Sequence, residues 1–178
     1  MRQIIRSEVQ CIRPFDDIEA DHIADTLDWI DSGAELFRIE KPANPPRHLI
    51  SYFVLMDEDH VLLVDHINAQ LWLPTGGHVD HNERPRETVR REAYEELGIE
   101  AEFIDMSPKF LTVTETVGLT AGHTDVSLWY ILRGHRDEDL SFDGSEFHEI
   151  RWFHQDQVPL ERTDPHMKRF LSKLDASR

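Results

Sequence analysis

The spacing of apolar residues predicts three helices. Residues 16–32 carry apolar side chains at helical spacing, with Asp16 or Asp17 as the N-cap and Gly33 just past the end. A second helix is predicted from Pro85 to Leu97, because proline suits a first helical turn and Gly98 suits the position after the last. Residues 167–174 have the apolar spacing of an amphipathic C-terminal helix.

Other segments have the composition or the alternation of β-strands. Strands are predicted at residues 49–56, 61–66, 71–73, 110–117, 126–132 and 150–153, and the first two form a hairpin around a turn at residues 57–59. The segment 110–117 alternates between an apolar face and a Thr/Glu face, whereas 126–132 is almost continuously apolar and is expected to be buried. The chain is therefore expected to form a mixed sheet between helices, an α/β fold.

A proline-rich stretch at residues 41–48 divides the chain, since proline disfavours helix both at and before itself. We expect residues 1–46 to form an N-terminal helical extension and connector, and residues 47–178 to form the catalytic domain. An exposed Trp29 beside an apolar stripe would be unfavourable. The extension is therefore expected to cover one face of the domain or a partner subunit, which leaves a homodimer open.

The central helix carries a candidate cation site. Glu92, Glu95 and Glu96 lie at i, i+3 and i+4, so they project from the same side of the helix. Like charges at this spacing destabilise a helix by a few tenths of a kcal/mol per pair, and a divalent cation would relieve them. Oxygen ligands suit Mg²⁺ or Mn²⁺, which commonly share their coordination shell with substrate phosphates. The sequence thus favours a phosphate ester or anhydride as substrate.

The segment around this helix resembles the Nudix box. All seven fixed positions of that pattern are filled, and the two apolar positions hold Ala93 and Ile99. The fixed positions are Gly77, Glu83, Arg91, Glu92, Glu95, Glu96 and Gly98. Seven such matches arise by chance about once in 10⁸ starting points, given average residue usage. The flanking LWLPTGG and HEIRWF are also similar to the family.

The resemblance implies a Nudix α/β/α sandwich and assigns roles to the box. Glu92, Glu95 and Glu96 would be metal ligands, and Glu95 would alternatively take part in activating water. A carbonyl of Gly76 or Gly77 would also reach the metal, because glycine permits a close backbone approach. Arg91 and Glu83 would pair and orient the carboxylates, although Glu83 is also a plausible helix cap.

Family members often use a further acidic residue from outside the box, and this chain offers four candidates: Glu115, Asp125, Asp143 and Glu146. Asp143 and Glu146 both lie in the loop ahead of HEIRWF, where the family often places a catalytic carboxylate, and Glu146 is slightly favoured of the two. Glu149 is expected to hold that loop. Substrate selectivity is expected in the loops at residues 67–70, 118–125 and 137–146.

The resemblance implies a Mg²⁺- or Mn²⁺-dependent pyrophosphohydrolase that cleaves a nucleoside triphosphate or a nucleoside diphosphate derivative by attack of water at phosphorus. A noncatalytic nucleotide-sensing module on the same fold is the alternative, since fold does not imply function. A prenyl diphosphate isomerase is disfavoured, because it needs a cysteine near the site and Cys11 lies in the extension.

The composition of the chain disfavours several classes of binding partner. The net charge of −16 opposes binding to nucleic acid or to anionic membranes. With a single cysteine, no apolar leader and no long apolar run, the protein is expected to be cytoplasmic. Among eleven histidines, His78 and His81 lie within the box, but their spacing lacks the partners of a recognised zinc motif, so a zinc site is disfavoured.

Overall fold

The structure is a computed structural model that describes residues 1–41, 44–116 and 122–176. Its helices are α1 (Arg2–Cys11), α2 (Asp17–Asp31), α3 (Pro85–Leu97) and α4 (Met167–Asp175). Its strands are β1 (Arg47–Asp57), β2 (His60–His66), β3 (Leu71–Leu73), β4 (Thr75–His78), β5 (Phe110–Glu115), β6 (Thr124–Arg133) and β7 (Phe147–His154). Two short 3₁₀ helices, at Gln155–Gln157 and Leu160–Arg162, connect β7 to α4.

The strands form one mixed sheet in the order β3-β2-β1-β6-β5, with β4 also paired to β1 and β7 to β2. The long central pair, β1 and β6, is parallel, and the other pairs are antiparallel. Residues alternate between the two faces of β6: Leu128 and Tyr130 enter one apolar cluster, and Trp129 and Ile131 enter the other. Both faces of the sheet are therefore covered, as the apolar run of β6 predicted.

Helices lie on both faces of the sheet. The first three contribute to one cluster, for example through Ile5 of α1, Ile30 of α2 and Val89 of α3. Helix α4 covers the other face, where the Phe170 and Trp129 ring centroids lie 4.9 Å apart. This is the α/β/α sandwich with an N-terminal helical extension that the sequence predicted.

Two local features differ from the sequence prediction. Helix α1 was not predicted, although it buries Ile5 and Val9 completely. The Thr/Glu face of β5 is not simply exposed, since Thr112 is buried and accepts a hydrogen bond from Trp129 Nε1 at 3.0 Å. Residue 117, at the end of the predicted strand, lies outside the described residues.

Helix α2 is capped by Asp16, one of the two residues that the sequence offered as a cap. The Asp16 side chain accepts a hydrogen bond from the Glu19 N–H at 2.8 Å, and Gly33 has φ +81° beyond the C-terminus. In the part of the chain that the structure describes, no helix is long and apolar enough to cross a bilayer.

Candidate functional site

Helix α3 places the three box carboxylates along one side of a cleft of about 900 Å³. The helix begins with Pro85 at its first turn and ends at Gly98, whose φ is +68°. Its apolar residues Val89, Ala93 and Leu97 are buried in the core. The glutamates differ in exposure. The Glu92 side chain is 13% exposed and the Glu95 side chain is 56% exposed, whereas Glu96 as a residue is 7% exposed.

Strand β4 brings two glycines against these carboxylates. The sequence predicted a glycine loop here, but residues 75–78 pair with β1 as a short antiparallel strand. Gly76 donates its N–H to Glu96 Oε2 at 3.1 Å. A Cβ on Gly77 would lie 2.0 Å from Glu92 Oε1, so only glycine lets the backbone come this close to the carboxylate.

Arg91 holds the carboxylates together from the same helix. Its guanidinium donates to Glu83 at 3.1 and 3.2 Å, to Glu92 at 2.7 Å and to Glu95 at 3.1 Å. It also donates to the His78 carbonyl at 3.2 Å, which ties α3 to the end of β4. The predicted pairing of Arg91 with Glu83 is therefore present in the structure.

Glu83 is held from two further sides. Its Oε2 accepts from the Thr88 hydroxyl at 2.7 Å and from the Asp80 N–H at 3.2 Å. Burial would raise the pKa of Glu83, but the bonds from Arg91 and Thr88 lower it below its ordinary value. Burial opposes the charge of Arg91 as well, yet its carboxylate partners raise the pKa of the guanidinium above its ordinary value. The two side chains thus stabilise each other as an ion pair.

The deeper carboxylates lack enough compensating charge. Burial raises the pKa of Glu96 to about 9, with further contributions from Glu92 and Glu146, despite the hydrogen bond from Gly76. Burial also raises the pKa of Glu92, although Arg91 lowers it. Carboxylates brought together in this way resist ionisation together, and a divalent cation would remove the conflict.

The four acidic candidates outside the box lie in different surroundings in the structure. Glu146 and Glu115 line the cleft, and Glu146 is close enough to raise the pKa of both Glu92 and Glu96. Asp143 accepts hydrogen bonds from the N–H and hydroxyl of Ser145 instead, and those bonds lower its pKa. Asp125 lies in the cleft wall among histidines.

Glu149 bonds to Arg151 at 2.7 Å within β7. Trp72 is 5% exposed, and its ring packs edge-on against Phe153 in the core.

The structure adds cleft residues that the sequence did not indicate. Asp164, just before α4, lines the cleft, and burial raises its pKa to about 6 with a contribution from Asp125. Arg38 and Lys41, from the segment between α2 and β1, bring positive charge into the cleft. None of these three residues belongs to a sequence motif, so their position in the cleft is seen only in the three-dimensional structure. Residues 118–121 of the predicted selectivity loops lie outside the described residues.

A second group of possible metal ligands lies in the wall of the cleft. His48, His78, His123 and Asp125, here called the histidine cluster, place donor atoms within 4.8 Å of one another. The spacing along the sequence did not predict this grouping, because its members come from three strands and their flanks. His81 is not part of it and instead packs edge-on against Phe37, at 5.5 Å between ring centroids.

The chain was also compared with known proteins. The family model described as NUDIX domain matches residues 46–174. A comparison with curated proteins found no match.

Several solved structures resemble the fold. A MutT NUDIX hydrolase from Burkholderia pseudomallei is 21% identical with a TM-score of 0.58, over 71% of this chain and 97% of that one. A NUDIX-family hydrolase from Clostridium perfringens is 23% identical with a TM-score of 0.56, over 74% of this chain and 99% of that one. A MutT protein from Methanosarcina mazei Go1 is 20% identical with a TM-score of 0.58, over 74% and 95% respectively.

Proposed function

Because the chain belongs to the NUDIX family, we propose that it is a Mg²⁺- or Mn²⁺-dependent pyrophosphohydrolase acting on a nucleoside triphosphate or a nucleoside diphosphate derivative. The observation that carries this proposal is the convergence of Glu92, Glu95 and Glu96 beside Gly76 and Gly77 at one side of the cleft. An intact carboxylate trio argues against a purely ligand-sensing role.

The residues present fit a hard divalent cation. Their donors are carboxylate oxygens, which Mg²⁺ and Mn²⁺ prefer. Burial, together with the neighbouring carboxylates, raises the pKa of Glu92 and Glu96, and a bound cation would favour their ionised forms. Glu92, Glu95 and Glu96 would hold the cation, together with a carbonyl of Gly76 or Gly77. When bound, it neutralises charge on the phosphate oxygens of the substrate.

The remaining box residues position the carboxylates. Arg91 is bonded to Glu83, Glu92 and Glu95 at once, so it fixes the directions in which the last two carboxylates point. Glu83 is itself held by Thr88, so Arg91 cannot rotate without breaking several bonds. Preorganisation of this kind lowers the cost of reaching the transition state.

Glu146 is our candidate for the general base, with Glu95 and Glu96 as the other carboxylates near the reacting phosphate. It reaches the cleft from the loop before β7, across from α3, and a base must lie within hydrogen-bond reach of the attacking water. In the proposed reaction, the water oxygen bonds to phosphorus, the carboxylate accepts the water proton, and the phosphoanhydride bond breaks with the electron pair on the leaving phosphate.

The cleft also suits a polyphosphate. Its volume of about 900 Å³ lies within the range of small-molecule sites. Arg38 and Lys41 supply positive charge that the net charge of −16 would not suggest. A polyanion is thus attracted locally although the molecule as a whole repels it.

A substrate panel tests the proposal. Phosphate or nucleotide release is measured from nucleoside triphosphates, nucleotide sugars, dinucleotides and modified nucleotides, with Mg²⁺, Mn²⁺ or EDTA. We expect turnover of at least one class with metal, none with EDTA, and a loss of about 10²–10³-fold in kcat for Glu96→Gln, the size typical for removing one electrostatic contact to the transition state.

Glu87→Gln is the matched control, because Glu87 lies on the same helix and pairs with Arg86 and Arg90 at the surface. It should retain the wild-type rate. Binding of a nucleotide without any turnover across the panel would contradict a hydrolase and would point to the sensing module. Equal activity in Glu96→Gln and wild type would exclude the proposed metal site.

A further inference from the structure

The histidine cluster joins three neighbouring strands near one edge of the cleft. His48 lies at the start of β1, His78 ends β4, and Asp125 lies at the start of β6, with His123 just before it. In the sheet register, His48 is paired with Asp125, and His78 is paired with Ile50, two residues beyond His48. The grouping therefore follows from backbone pairing rather than from flexible surface side chains.

The cluster is only partly open to solvent: His48 is buried, and His78, His123 and Asp125 are half-buried. His48 is 0% exposed, and the side chains of His123 and Asp125 are 9% and 15% exposed. The ring centroid of His48 lies 4.8 Å from that of His78 and 4.9 Å from that of His123. Three imidazole rings are therefore packed directly against one another in the wall of the cleft.

The hydrogen bond of His48 to the backbone orients its other ring nitrogen toward the Asp125 carboxylate. His48 Nδ1 lies 2.9 Å from the Pro45 carbonyl, which can only accept, so Nδ1 carries a proton, and in the neutral imidazole Nε2 then carries the lone pair. Nε2 has no hydrogen-bond partner among the described residues, although Asp125 Oδ1 lies 3.4 Å away. Two acceptor atoms thus face each other in a buried position.

His123 has a comparable arrangement. Its Nδ1 lies 3.2 Å from the Thr116 hydroxyl oxygen, and that hydroxyl donates to the His123 carbonyl at 3.1 Å. Its other ring nitrogen, Nε2, lies 3.2 Å from Asp125 Oδ1. Metal-bound histidines are commonly oriented in this way, through a second bond from the other ring nitrogen.

His78 is the remaining member of the cluster. Neither His78 Nε2 nor Asp125 Oδ1 has a hydrogen-bond partner in the part of the chain that the structure describes. An unsatisfied buried polar group costs about 1–3 kcal/mol. One added proton would satisfy a single histidine and carboxylate pair, whereas one cation would accept lone pairs from His48 Nε2, His78 Nε2 and Asp125 Oδ1 together.

We propose that the histidine cluster binds one Zn²⁺ ion. Three imidazole nitrogens and one carboxylate oxygen are a preferred donor set for Zn²⁺, and four protein ligands make a closed, structural site. In a tetrahedral site with metal to ligand distances near 2.0–2.1 Å, ligand atoms lie about 3.3 Å apart. Asp125 Oδ1 lies 3.4 Å from His48 Nε2 and 3.2 Å from His123 Nε2, which agrees with this distance between ligand atoms.

This ion is distinct from the cation held by the box glutamates. Its ligands are mainly nitrogen rather than oxygen, and none of them is a glutamate of the box. Since Arg91 donates to the His78 carbonyl, a zinc ion on the His78 side chain would fix the strand against which the catalytic carboxylates are aligned.

Metal analysis of the full-length protein tests the inference. After incubation with Zn²⁺ and dialysis, wild type should retain one Zn²⁺ per chain, and Co²⁺ in its place should give the intense visible absorption of a four-coordinate ion. Asp125→Asn and His78→Gln should each lower the affinity for Zn²⁺ about a hundredfold or more. His81→Gln and Glu96→Gln should bind Zn²⁺ like wild type.

Several results would overturn the inference. The first is a wild-type protein that retains no Zn²⁺. The second is undiminished Zn²⁺ binding in both Asp125→Asn and His78→Gln. The third is loss of Zn²⁺ in Glu96→Gln while these two variants retain it. If the cluster variants do not fold, the Co²⁺ spectrum of wild type decides, because an octahedral spectrum or none contradicts the site. Since zinc content is measured without substrate, the result is independent of whether the proposed hydrolase activity is found.

Discussion

Two adjacent glycines of β4 are constrained by different neighbours. Gly76 has φ +144°, and a Cβ there would lie 2.1 Å from the Ser51 carbonyl oxygen, which belongs to the backbone of β1. A Cβ on Gly77 would instead meet the end of the Glu92 side chain, at 2.0 Å. Backbone cannot move aside without disturbing the sheet, whereas a carboxylate can rotate. Folding therefore depends on Gly76, and the site depends on Gly77.

Gly77→Ala should consequently separate activity from stability. We expect the Glu92 carboxylate to be pushed out of place, with a loss of about 10²-fold in kcat, while the melting temperature stays close to that of wild type. Gly76→Ala should lower the melting temperature strongly, because it combines a backbone clash with a strained φ. Thermal unfolding followed by circular dichroism, together with kinetics on the substrate found in the panel, measures both effects.

Gly33→Ala is the control for glycine conformation alone. Gly33 has φ +81° with open space around its Cα, so the substitution should cost about 1 kcal/mol of stability and leave kcat unchanged. Full activity in Gly77→Ala would show that the position of the Glu92 carboxylate is not critical for the reaction.

At the scale of elements, the segment between α2 and β1 contributes to the cleft. Arg38 and Lys41 lie in this segment, ahead of the residues that the family model matches, yet both line the cleft. Burial lowers the pKa of Arg38, while Asp125, Asp80 and Glu92 raise it, so its guanidinium lies among the carboxylates of the site. We infer that the extension helps to bind the substrate phosphates.

Arg38→Ala should raise KM about tenfold with kcat within a factor of two, because it removes an attraction that substrate and transition state share. Steady-state kinetics at several salt concentrations measures this, and the difference between wild type and variant should shrink as salt increases. Arg6→Ala is the matched control, since Arg6 belongs to the same extension and pairs with Asp31. An equal rise in KM for both variants would indicate a general loss of charge rather than a phosphate contact.

For the whole molecule, contacts between distant parts of the chain fix the extension in place. Glu19 of α2 is 0% exposed and pairs with Lys173 of α4 at 2.7 Å. Asp16 accepts two hydrogen bonds from the guanidinium of Arg169, also on α4. Helix α2, which packs on one face of the sheet, is thus connected to α4 on the other face. The division at residue 46 into extension and catalytic domain stays a prediction.

The Asp16 to Arg169 pair predicts a pH dependence of stability. Hydrogen bonds from Arg169 lower the pKa of Asp16 from 3.8 to about 2. A carboxyl whose pKa is lower in the folded state stabilises that state above the unfolded-state pKa and loses this effect as pH falls through the folded-state value. With partial exposure taken into account, we expect about 1 kcal/mol, present above roughly pH 4 and lost towards about pH 2.

Asp16→Asn tests this, because asparagine still caps a helix but carries no charge. Its melting temperature at pH 7 should be lower by about 2–4 °C, and the difference should narrow below about pH 4. Glu102→Gln removes a more exposed ion pair with Arg133 and should change little. A difference for Asp16→Asn that stays constant down to pH 3 would assign the effect to packing rather than charge.

Sequence alone determined the local and periodic features. The bounds of α3, the buried strand β6 and the family follow from propensities and spacing that act within a few residues of each other, whereas for α2 the sequence left the cap open between Asp16 and Asp17. The box glutamates lie on one helical turn, so their proximity required no knowledge of the fold. The amphipathic C-terminal helix was predicted for the same reason.

Tertiary structure decided what depends on chain pairing. The histidine cluster draws its members from positions 48, 78, 123 and 125, which strand register brings together. Arg38 and Asp164 reach the cleft only through the path of connecting segments. Helix α1 has few charged or capping signals at its ends, and it is stabilised by burial of Ile5 and Val9 against the rest of the molecule. Such contacts leave no periodic trace in a sequence, because register and packing are set by the whole chain at once.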